Sequence, residues 1–441
     1  MRTYDLVIIG SGPGGYVAAL YASRFKRKVC VIEKADLGGT CLNRGCIPTK
    51  AMLHSASILS TIKEASLYGI EVSGIEVNFP AIAARKDLVV TRLRAGIETL
   101  FKANKIDLVK GSAKLTGTDT VTVNGENYSA KNIIIATGSR PAALDGEPFD
   151  EKRVYSSDGI LNLKDIPKSI IIVGGGVIGC EFASLFNVLS SKVTIVELLD
   201  RLLPAQSKEV SRKLETIFKK RGIAVHTSTG PGSIDRSIEA DKKLICVGRV
   251  SNIEEIGLED LGIDTKDGRI SVDDNLRTSV KNIYAIGDCV AGPLLAHKAS
   301  YDGMVACDNI MGNARRVDYS GVPSCIWTDP EIASVGLNEE EARAKYPDLK
   351  IAKFPYLASG KACMMGKSEG FIKMMGDSKG KVLGVEIFGM EACDLIGEAG
   401  LAIYSGVNIK DWAHVIHGHP TLSEIFQEAA HIFTGTAIHS L

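Results

Sequence analysis

Two cysteines, Cys41 and Cys46, stand with four residues between them in the run Gly38-Gly39-Thr40-Cys41-Leu42-Asn43-Arg44-Gly45-Cys46-Ile47-Pro48-Thr49-Lys50. A redox dithiol needs two sulfurs close enough to bond, one open to attack and the other beside an electron acceptor. Five steps along a regular helix exceed one turn and would splay the two side chains apart. Gly45 lets the backbone tighten between them, and Pro48 favours a helix that begins near it. On spacing alone a pair of buried free thiols fits as well. A second group lies in His417-Gly418-His419-Pro420-Thr421-Leu422-Ser423-Glu424. Thiol–disulfide exchange proceeds through the thiolate, yet a free thiol with a pKa of about 8.5 is only a few per cent ionised at neutral pH. A histidine can take the proton, and a carboxylate on its other ring nitrogen fixes the tautomer. His419 and Glu424 fit those roles, with Pro420 expected to start the helix that carries Glu424. Taken alone, a His-Pro is more often a satisfied loop histidine, the reading kept for His414, His417 and His431.

The elements that must position these groups are nucleotide-binding units. Tyr4-Asp5-Leu6-Val7-Ile8-Ile9 reads as a buried parallel strand. Gly10-Ser11-Gly12-Pro13-Gly14-Gly15 follows as GxGxxG. Gly10 permits the tight turn, Gly12 admits a pyrophosphate and Gly15 lets the helix pack on the sheet. Phosphates would sit at that helix's N-terminus. The next strand, Lys28-Val29-Cys30-Val31-Ile32, ends at Glu33, placed to accept from a ribose. The unit then returns: Ile170-Ile171-Ile172-Val173, Gly174-Gly175-Gly176-Val177-Ile178-Gly179, and Val193-Thr194-Ile195-Val196 ending at Glu197. Gly10, Gly12, Gly15 and Glu33 map onto Gly174, Gly176, Gly179 and Glu197 with one offset of 164 residues. This is an internal duplication and implies two nucleotides, unless the second copy serves only packing. Glu197 favours NAD over NADP, because a carboxylate repels a 2′-phosphate. Leu198-Leu199-Asp200 offers no basic replacement, and Arg201 reads as a helix or loop charge.

Between the copies, residues 55–105 show charged helical periodicity, as a hairpin of helices would, and residues 107–128 read as short strands around Gly111, Gly117 and Gly125. Ile133-Ile134-Ile135-Ala136-Thr137-Gly138-Ser139 is a strand ending in small residues, and residues 140–148 form the crossing that follows. A helix is expected over 207–221, capped by Ser207, apolar at Val210, Leu214, Ile217 and Phe218, and ended by Gly222. Ile283-Tyr284-Ala285-Ile286-Gly287-Asp288 is another strand, and a helix starts near Leu294-Leu295-Ala296-His297. After residue 312 the nucleotide motifs stop and strands mix with helices in an α+β pattern.

At 441 residues, two to four domains are expected. The 52 basic and 52 acidic side chains balance. That excludes a global field for nucleic acid or an anionic membrane. The eight cysteines outside the central pair are scattered, with no metal-like clustering, and are expected to be reduced and structural. Met1-Arg2-Thr3 runs straight into a strand, leaving no room for a leader, and no apolar stretch spans a bilayer. A soluble, cytoplasmic protein is expected.

The dithiol run following the first glycine loop resembles the redox segment of the pyridine nucleotide–disulfide oxidoreductases, most of all the dihydrolipoamide dehydrogenases, and the resemblance covers nearly the whole chain. It implies an α/β fold of two Rossmann-like domains plus a C-terminal α+β dimerisation domain. The segments expected are 1–141 for FAD, 142–269 for NAD, 270–312 returning to the FAD domain, and 313–441 for the interface. FAD would be held by Gly10, Gly12, Pro13, Gly14, Gly15, Glu33, Lys34, Gly39, Thr40 and Lys50. Gly111, Ala136, Thr137, Gly138, Gly287, Asp288, Leu294, Leu295, Ala296 and His297 complete that set. NAD would be held by Gly174, Gly176, Val177, Ile178, Gly179, Glu181, Glu197 and Gly248. Cys41 is implied as the exchanging thiol and Cys46 as the one against the flavin, and Lys50 and Glu181 are expected to pair near it. The chain departs from the family in two places. Residues 226–241 are short and rich in Gly and Ser where relatives carry several strands, and Val250-Ser251 replaces the usual Arg-Pro.

The reaction implied is oxidation of a protein-bound dihydrolipoyl group by NAD in a homodimer, with His419 of one chain facing the disulfide of the other. The lipoyl group would come from a separate acyltransferase or glycine-cleavage carrier protein. Other readings are an NADPH-dependent glutathione-type reductase, which Glu197 opposes, and a mercuric or thioredoxin-type reductase. The latter would require a terminal cysteine pair that Ser440-Leu441 does not provide. A flavin-loaded redox sensor or binding subunit is the non-enzymatic alternative, and the shortened second domain is its support.

Overall fold

A computed structural model describes residues 2–230 and 240–439. Residues 231–239, within the short stretch expected between 226 and 241, and the terminal Ser440-Leu441 lie outside the described residues. The chain forms two compact units. One comprises Met1–Met52, Asn78–Asp165 and Val247–Val317, and the other Leu53–Val77, Ile166–Cys246 and Asp318–Leu441.

The first unit opens with β1 (Arg2–Ile9), α1 (Pro13–Ser23) and β2 (Val29–Glu33), then α2 (Gly39–Arg44) and the start of α3 (Cys46–Lys63). It continues through α4 (Phe79–Ala103), β3 (Asp107–Lys110), β4 (Ala113–Gly117), β5 (Thr120–Val123), β6 (Glu126–Ile135), β7 (Ser139–Pro141) and β8 (Val154–Tyr155). The order β3-β2-β1-β6 is parallel, and β5 and β4 extend it as an antiparallel meander. Both faces of a parallel sheet are covered, so its strands read as continuous apolar runs. Leu6, Val7, Ile8 and Ile133 to Ile135 accordingly have no exposure.

In the second unit β9 (Ser169–Val173), α5 (Val177–Val188), β10 (Lys192–Val196), α6 (Lys208–Lys220), β11 (Ala224–His226) and β12 (Lys242–Ile245) repeat the parallel plan, ordered β11-β10-β9-β12. Ser207 caps α6 by accepting from Val210 N–H, and Val210, Leu214, Ile217 and Phe218 are buried. The chain returns to the first unit with β13 (Arg249–Ser251), antiparallel to β7, and the hairpin β14 (Thr265–Lys266) and β15 (Arg269–Ile270). There β16 (Ile283–Ala285) joins β6 in parallel and leads to α7 (Ala296–Ile310).

The C-terminal part of the second unit holds β17 (Ser324–Ile326), β18 (Ile332–Gly336), α8 (Glu339–Lys345), β19 (Lys350–Pro355), α9 (Gly360–Met364), β20 (Phe371–Gly376) and β21 (Val382–Phe388). It ends with α10 (Ala392–Tyr404), α11 (Ile409–Trp412) and α12 (Glu424–Thr434). Its sheet is antiparallel, ordered β17-β18-β21-β20-β19. The helices bury Ile396, Trp412, Ile425 and Phe426 with Val385 and Ile387. Lys373 on β20 is sealed from water, 2.6 Å from Glu209 on α6, 2.7 Å from Glu339 and 3.3 Å from Glu386. A lone buried ammonium is costly, and this network of carboxylates is what allows it to stay charged.

The expectation that Pro420 starts a helix is corrected. The helix opens at Glu424, with Ser423 at its cap. Thr421 instead makes a turn, its hydroxyl donating to Gly418 O at 2.7 Å.

Candidate active site

The dithiol run folds as two helices with a break between them. α2 ends at Gly45, whose backbone leaves the helical region (φ −138°, ψ −114°), and α3 opens with Cys46. A Cβ at Gly45 would press on Thr40 O at 3.1 Å and Cys41 Cα at 3.3 Å, so the break needs glycine to close tightly. Thr49 fixes it from the other side, its hydroxyl donating to Gly45 O at 2.7 Å. Asn43 donates to Gly39 O at 2.9 Å and Leu37 O at 3.0 Å, holding α2 onto its entering loop. Cys41 and Cys46 are thiols whose side chains hydrogen-bond to each other. That bond, followed by burial, raises Cys41 far above an ordinary thiol, while the charge of Lys50 on α3 acts in the opposite direction. Cys46 is the more exposed of the two.

The two glycine loops are superimposable in their hydrogen bonds. Gly10 N–H donates to Ile32 O at 2.8 Å and Gly174 N–H to Val196 O at 2.8 Å. Glu33 accepts from Ser11 N–H at 2.8 Å and Ala35 N–H at 2.7 Å. Glu197 accepts from Gly175 N–H at 2.5 Å and Leu199 N–H at 2.7 Å. Gly12 and Gly176 cap α1 and α5 in the same extended conformation, and a Cβ at either would meet nothing within 4 Å. By contrast a Cβ at Gly15 or Gly179 would lie 2.0 Å from a backbone carbonyl of its own loop. The open side of each loop therefore faces a helix N-terminus with room for a phosphate, and each acid keeps lone pairs for a ribose. These residues fit a dinucleotide in each copy. Ser11 also donates its hydroxyl to Glu33 at 2.6 Å, a bond that Gly175 cannot make in the second loop. Arg201 is engaged by Asp200 at 3.4 Å and Pro204 O at 3.0 Å, in keeping with NAD over NADP.

Around the first loop, Gly39 packs where a Cβ would lie 2.5 Å from Gly12 Cα, and its φ is +63°. Pro13 and Gly14 open α1, and Thr40 follows Gly39 on α2. Lys34 lies just past β2, and Gly111 lies between β3 and β4 with φ +149°. Ala136, Thr137 and Gly138 follow β6, and Ala136 lies against Gly10, where a Cβ would come within 2.3 Å of Ala136 O. Asp288 accepts from the Ser139 hydroxyl at 2.6 Å, and Arg249 holds Ser139 through its hydroxyl at 2.7 Å and its carbonyl at 2.9 Å. Ser251 donates to Asp288 O at 2.8 Å, so the Val250-Ser251 departure has a positioning use that sequence reasoning missed. A second missed element is the fully buried Lys298–Asp302 pair at 2.8 Å on α7. Asp302 accepts from Gly287 N–H at 3.0 Å and Lys298 donates to Gly287 O at 3.3 Å, fixing the turn before Asp288. Leu294, Leu295, Ala296 and His297 lead into and begin that helix.

In the second unit Val177 and Ile178 open α5, and Gly248 stands in the left-handed region at φ +134°. Glu181 on α5 is 3% exposed and accepts from Trp327 N–H at 3.1 Å, so it is not a surface carboxylate. His419 Nδ1 lies 2.9 Å from Glu424 Oε1, and Glu424 Oε2 accepts from Thr421 N–H at 2.8 Å. Burial alone pushes Glu424 up, but the bonds from His419 and Thr421 outweigh it and hold the carboxyl below its usual range. The His419 ring is 79% exposed, leaving its other nitrogen at the surface. His417, given no role by its sequence, is nearly sealed, with Nε2 2.9 Å from Glu398 and Nδ1 3.2 Å from Val415 O. Among the described residues no group of three or more His, Cys, Asp or Glu could hold a metal ion. No helix there is long and apolar enough to cross a membrane.

The family model described as pyridine nucleotide-disulphide oxidoreductase matches residues 4–303, and the model of that family's dimerisation domain matches residues 322–430. A dihydrolipoyl dehydrogenase of Bacillus subtilis (strain 168) is 43% identical over 469 aligned residues, covering 99% of each chain. One of Chlamydia pneumoniae is 43% identical, covering 99% of this chain and 98% of its own. One of Thermus scotoductus is 41% identical with both chains fully covered. Among solved structures, LpdA from Mycobacterium tuberculosis matches with a TM-score of 0.90 at 26% identity, over 98% of this chain and 99% of that one. The HOCl-induced flavoprotein disulfide reductase RclA from Escherichia coli matches with a TM-score of 0.87 at 28% identity, over 97% and 99%.

Proposed function

The chain belongs to the pyridine nucleotide–disulfide oxidoreductases, and on that premise we propose that it is a dihydrolipoyl dehydrogenase, oxidising a protein-bound dihydrolipoyl group with NAD. The observation that carries the reading is the hydrogen-bonded Cys41–Cys46 pair at the break between α2 and α3. The relatives named above, similar over their full length, support the substrate class. We assign the segments 1–141 and 270–312 to FAD, 142–269 to NAD and 313–441 to the dimer interface, with the lipoyl group delivered by a separate acyltransferase or glycine-cleavage carrier protein in the cytoplasm.

In the oxidised enzyme Cys41 and Cys46 share a disulfide. His419 takes the proton of one substrate thiol, and the thiolate attacks the Cys41 sulfur, so that Cys46 leaves as a thiolate. Lys50 lies on the same helix as Cys46 and favours negative charge there. The second substrate thiol, deprotonated in turn, attacks the substrate sulfur of the mixed disulfide, closing the lipoyl ring and freeing Cys41. Bound FAD supplies a two-electron oxidant for the dithiol, and NAD is the final acceptor. Gly12 and Gly176 leave space for the two pyrophosphates, Glu33 and Glu197 hold the riboses, and Asp288 orients the flavin's sugar-alcohol chain. Glu424 fixes the tautomer of His419, whose exposed ring completes the site of a second copy in a homodimer.

The test is NADH formation by the purified protein with free dihydrolipoamide, run beside NADPH with glutathione disulfide. Rapid NADH production supports the assignment, and activity only in the second assay overturns it. Flavin bleaching by dihydrolipoamide without NADH would favour the redox-sensor reading. The 469 aligned positions against 441 residues here show that the Bacillus relative carries stretches this chain lacks.

A further inference from the structure

The dimerisation sheet brings together two cysteines that lie 68 residues apart in the chain. Cys325 is on β17, and Cys393 is the second residue of α10, which packs on β17 and β18. Cys325 Sγ reaches Cys393 O at 3.8 Å, and Cys393 Sγ reaches Ile326 O at 3.7 Å and Ile332 O at 3.8 Å. The two side chains hydrogen-bond to each other, and the Cys393 thiol also bonds to the side chain of Glu331. Glu331 stands one residue before β18 and accepts Cys393 N–H at 3.0 Å. Both cysteines are half-buried, so a small solute can reach them while bulk solvent is held off.

We propose that Cys325 and Cys393 are a second redox-active thiol pair, closed by hydrogen peroxide to an intramolecular disulfide between β17 and α10, with Glu331 as the base. Cys393 is the attacking thiol, because its side chain bonds to the carboxylate. Glu331 takes the Cys393 proton, and the sulfur attacks peroxide, breaking the O–O bond to give a sulfenic acid and one water. The Cys325 sulfur then displaces the sulfenic oxygen, forming the S–S bond and releasing a second water. Two electrons pass to the peroxide and both thiol protons end in water. Burial pushes Glu331 up to about 7, so near neutrality it can both receive and release a proton. The bond to Cys325, burial and the charge of Glu331 together raise Cys393 well above an ordinary thiol, so the pair rests as thiols until the carboxylate acts. Glu391 and Asp394 at the start of α10 and the buried Tyr356 also face Glu331.

The test uses the reduced holoenzyme treated with one to a few equivalents of hydrogen peroxide, alkylated, and digested with trypsin without reductant. Cys325 falls in peptide 317–343 and Cys393 in peptide 382–410, each the only cysteine of its peptide. The expected product is the two peptides joined, two hydrogens lighter than their sum and separated by dithiothreitol. Cys325→Ser should stop the sequence at a Cys393 sulfenic acid that dimedone captures. Glu331→Gln should slow closure about tenfold or more at neutral pH, consistent with loss of a general base. The exposed Cys363, which has no cysteine partner among the described residues, is the internal control. If Cys363 is oxidised while both peptides are recovered alkylated, the proposal is overturned. It is equally overturned if Cys325 and Cys393 appear only in separate mixed adducts. The wild-type peptide map distinguishes these outcomes even where a variant fails to fold.

Discussion

Among the described residues, Cys41–Cys46 and Cys325–Cys393 are hydrogen-bonded thiol pairs with charges of opposite sign beside them. Cys41 and Cys46 lie five residues apart across a helix break, and the nearby charge is a cation, Lys50. Cys325 and Cys393 meet across a strand and a helix, and the nearby charge is a carboxylate, Glu331. A cation favours thiolate and so rapid exchange, whereas a carboxylate disfavours it and must itself take the proton. Both pairs hold a thiol raised by its partner and by burial; Lys50 works against that rise at Cys41, whereas Glu331 adds to it at Cys393. Contact between two sulfurs is not what distinguishes a catalytic dithiol; the neighbouring charge is.

The largest contrast is in turnover. Cys46→Ser should reduce NADH formation from dihydrolipoamide by at least about a thousandfold, as loss of a covalent participant does. Cys393→Ser should leave it within about twofold, and comparable losses from both would erase the distinction. His419→Gln should lower kcat by about a hundredfold or more, the usual contribution of a general base, and Glu424→Gln by a smaller factor because it acts through the ring. Steady-state rates at saturating dihydrolipoamide measure both.

A stability measurement probes the second pair. Glu331 is raised by burial from 4.5 to about 7, so in that interval the folded chain binds a proton that the unfolded chain has lost. Folding stability should fall as pH rises from about 4.5 to 7, by up to about 3 kcal/mol, since each pH unit between those two values is worth about 1.36 kcal/mol. Glu331→Gln should flatten that slope, read as the pH dependence of the unfolding midpoint. A wild-type and variant slope that coincide would remove Glu331 from the account. The smallest effect concerns the first pair: Lys50→Met should move the thiolate titration of the reduced dithiol upward by about one pH unit, followed by ultraviolet absorbance. An unmoved titration would mean that Lys50 does not set the charge balance.

Much of the first site was legible in the sequence. The offset of 164 residues between the glycine loops became two sets of hydrogen bonds with the same donors and acceptors. The His419–Glu424 pair formed at 2.9 Å, although Pro420 does not start the helix as expected. What escaped notice were supports drawn from distant segments: Arg249 and Ser251 on Ser139 and Asp288, and the Lys298–Asp302 pair behind Gly287.

The sequence by itself determined whatever depends on local backbone and short spacing. A turn that only glycine can make, an acid at the end of the next strand, and a dithiol interrupted by Gly45 all lie within a few turns of chain, and their geometry follows from the order of residues. Only the tertiary structure decided the rest. Cys325 and Cys393 meet because β17 pairs antiparallel with β18 and α10 packs over that pair. Lys373 meets Glu209, Glu339 and Glu386 because α6, α8, β20 and β21 converge on one interior point. No periodicity marks such meetings, since they are set by how apolar faces close on one another, and the polar groups are carried along with them.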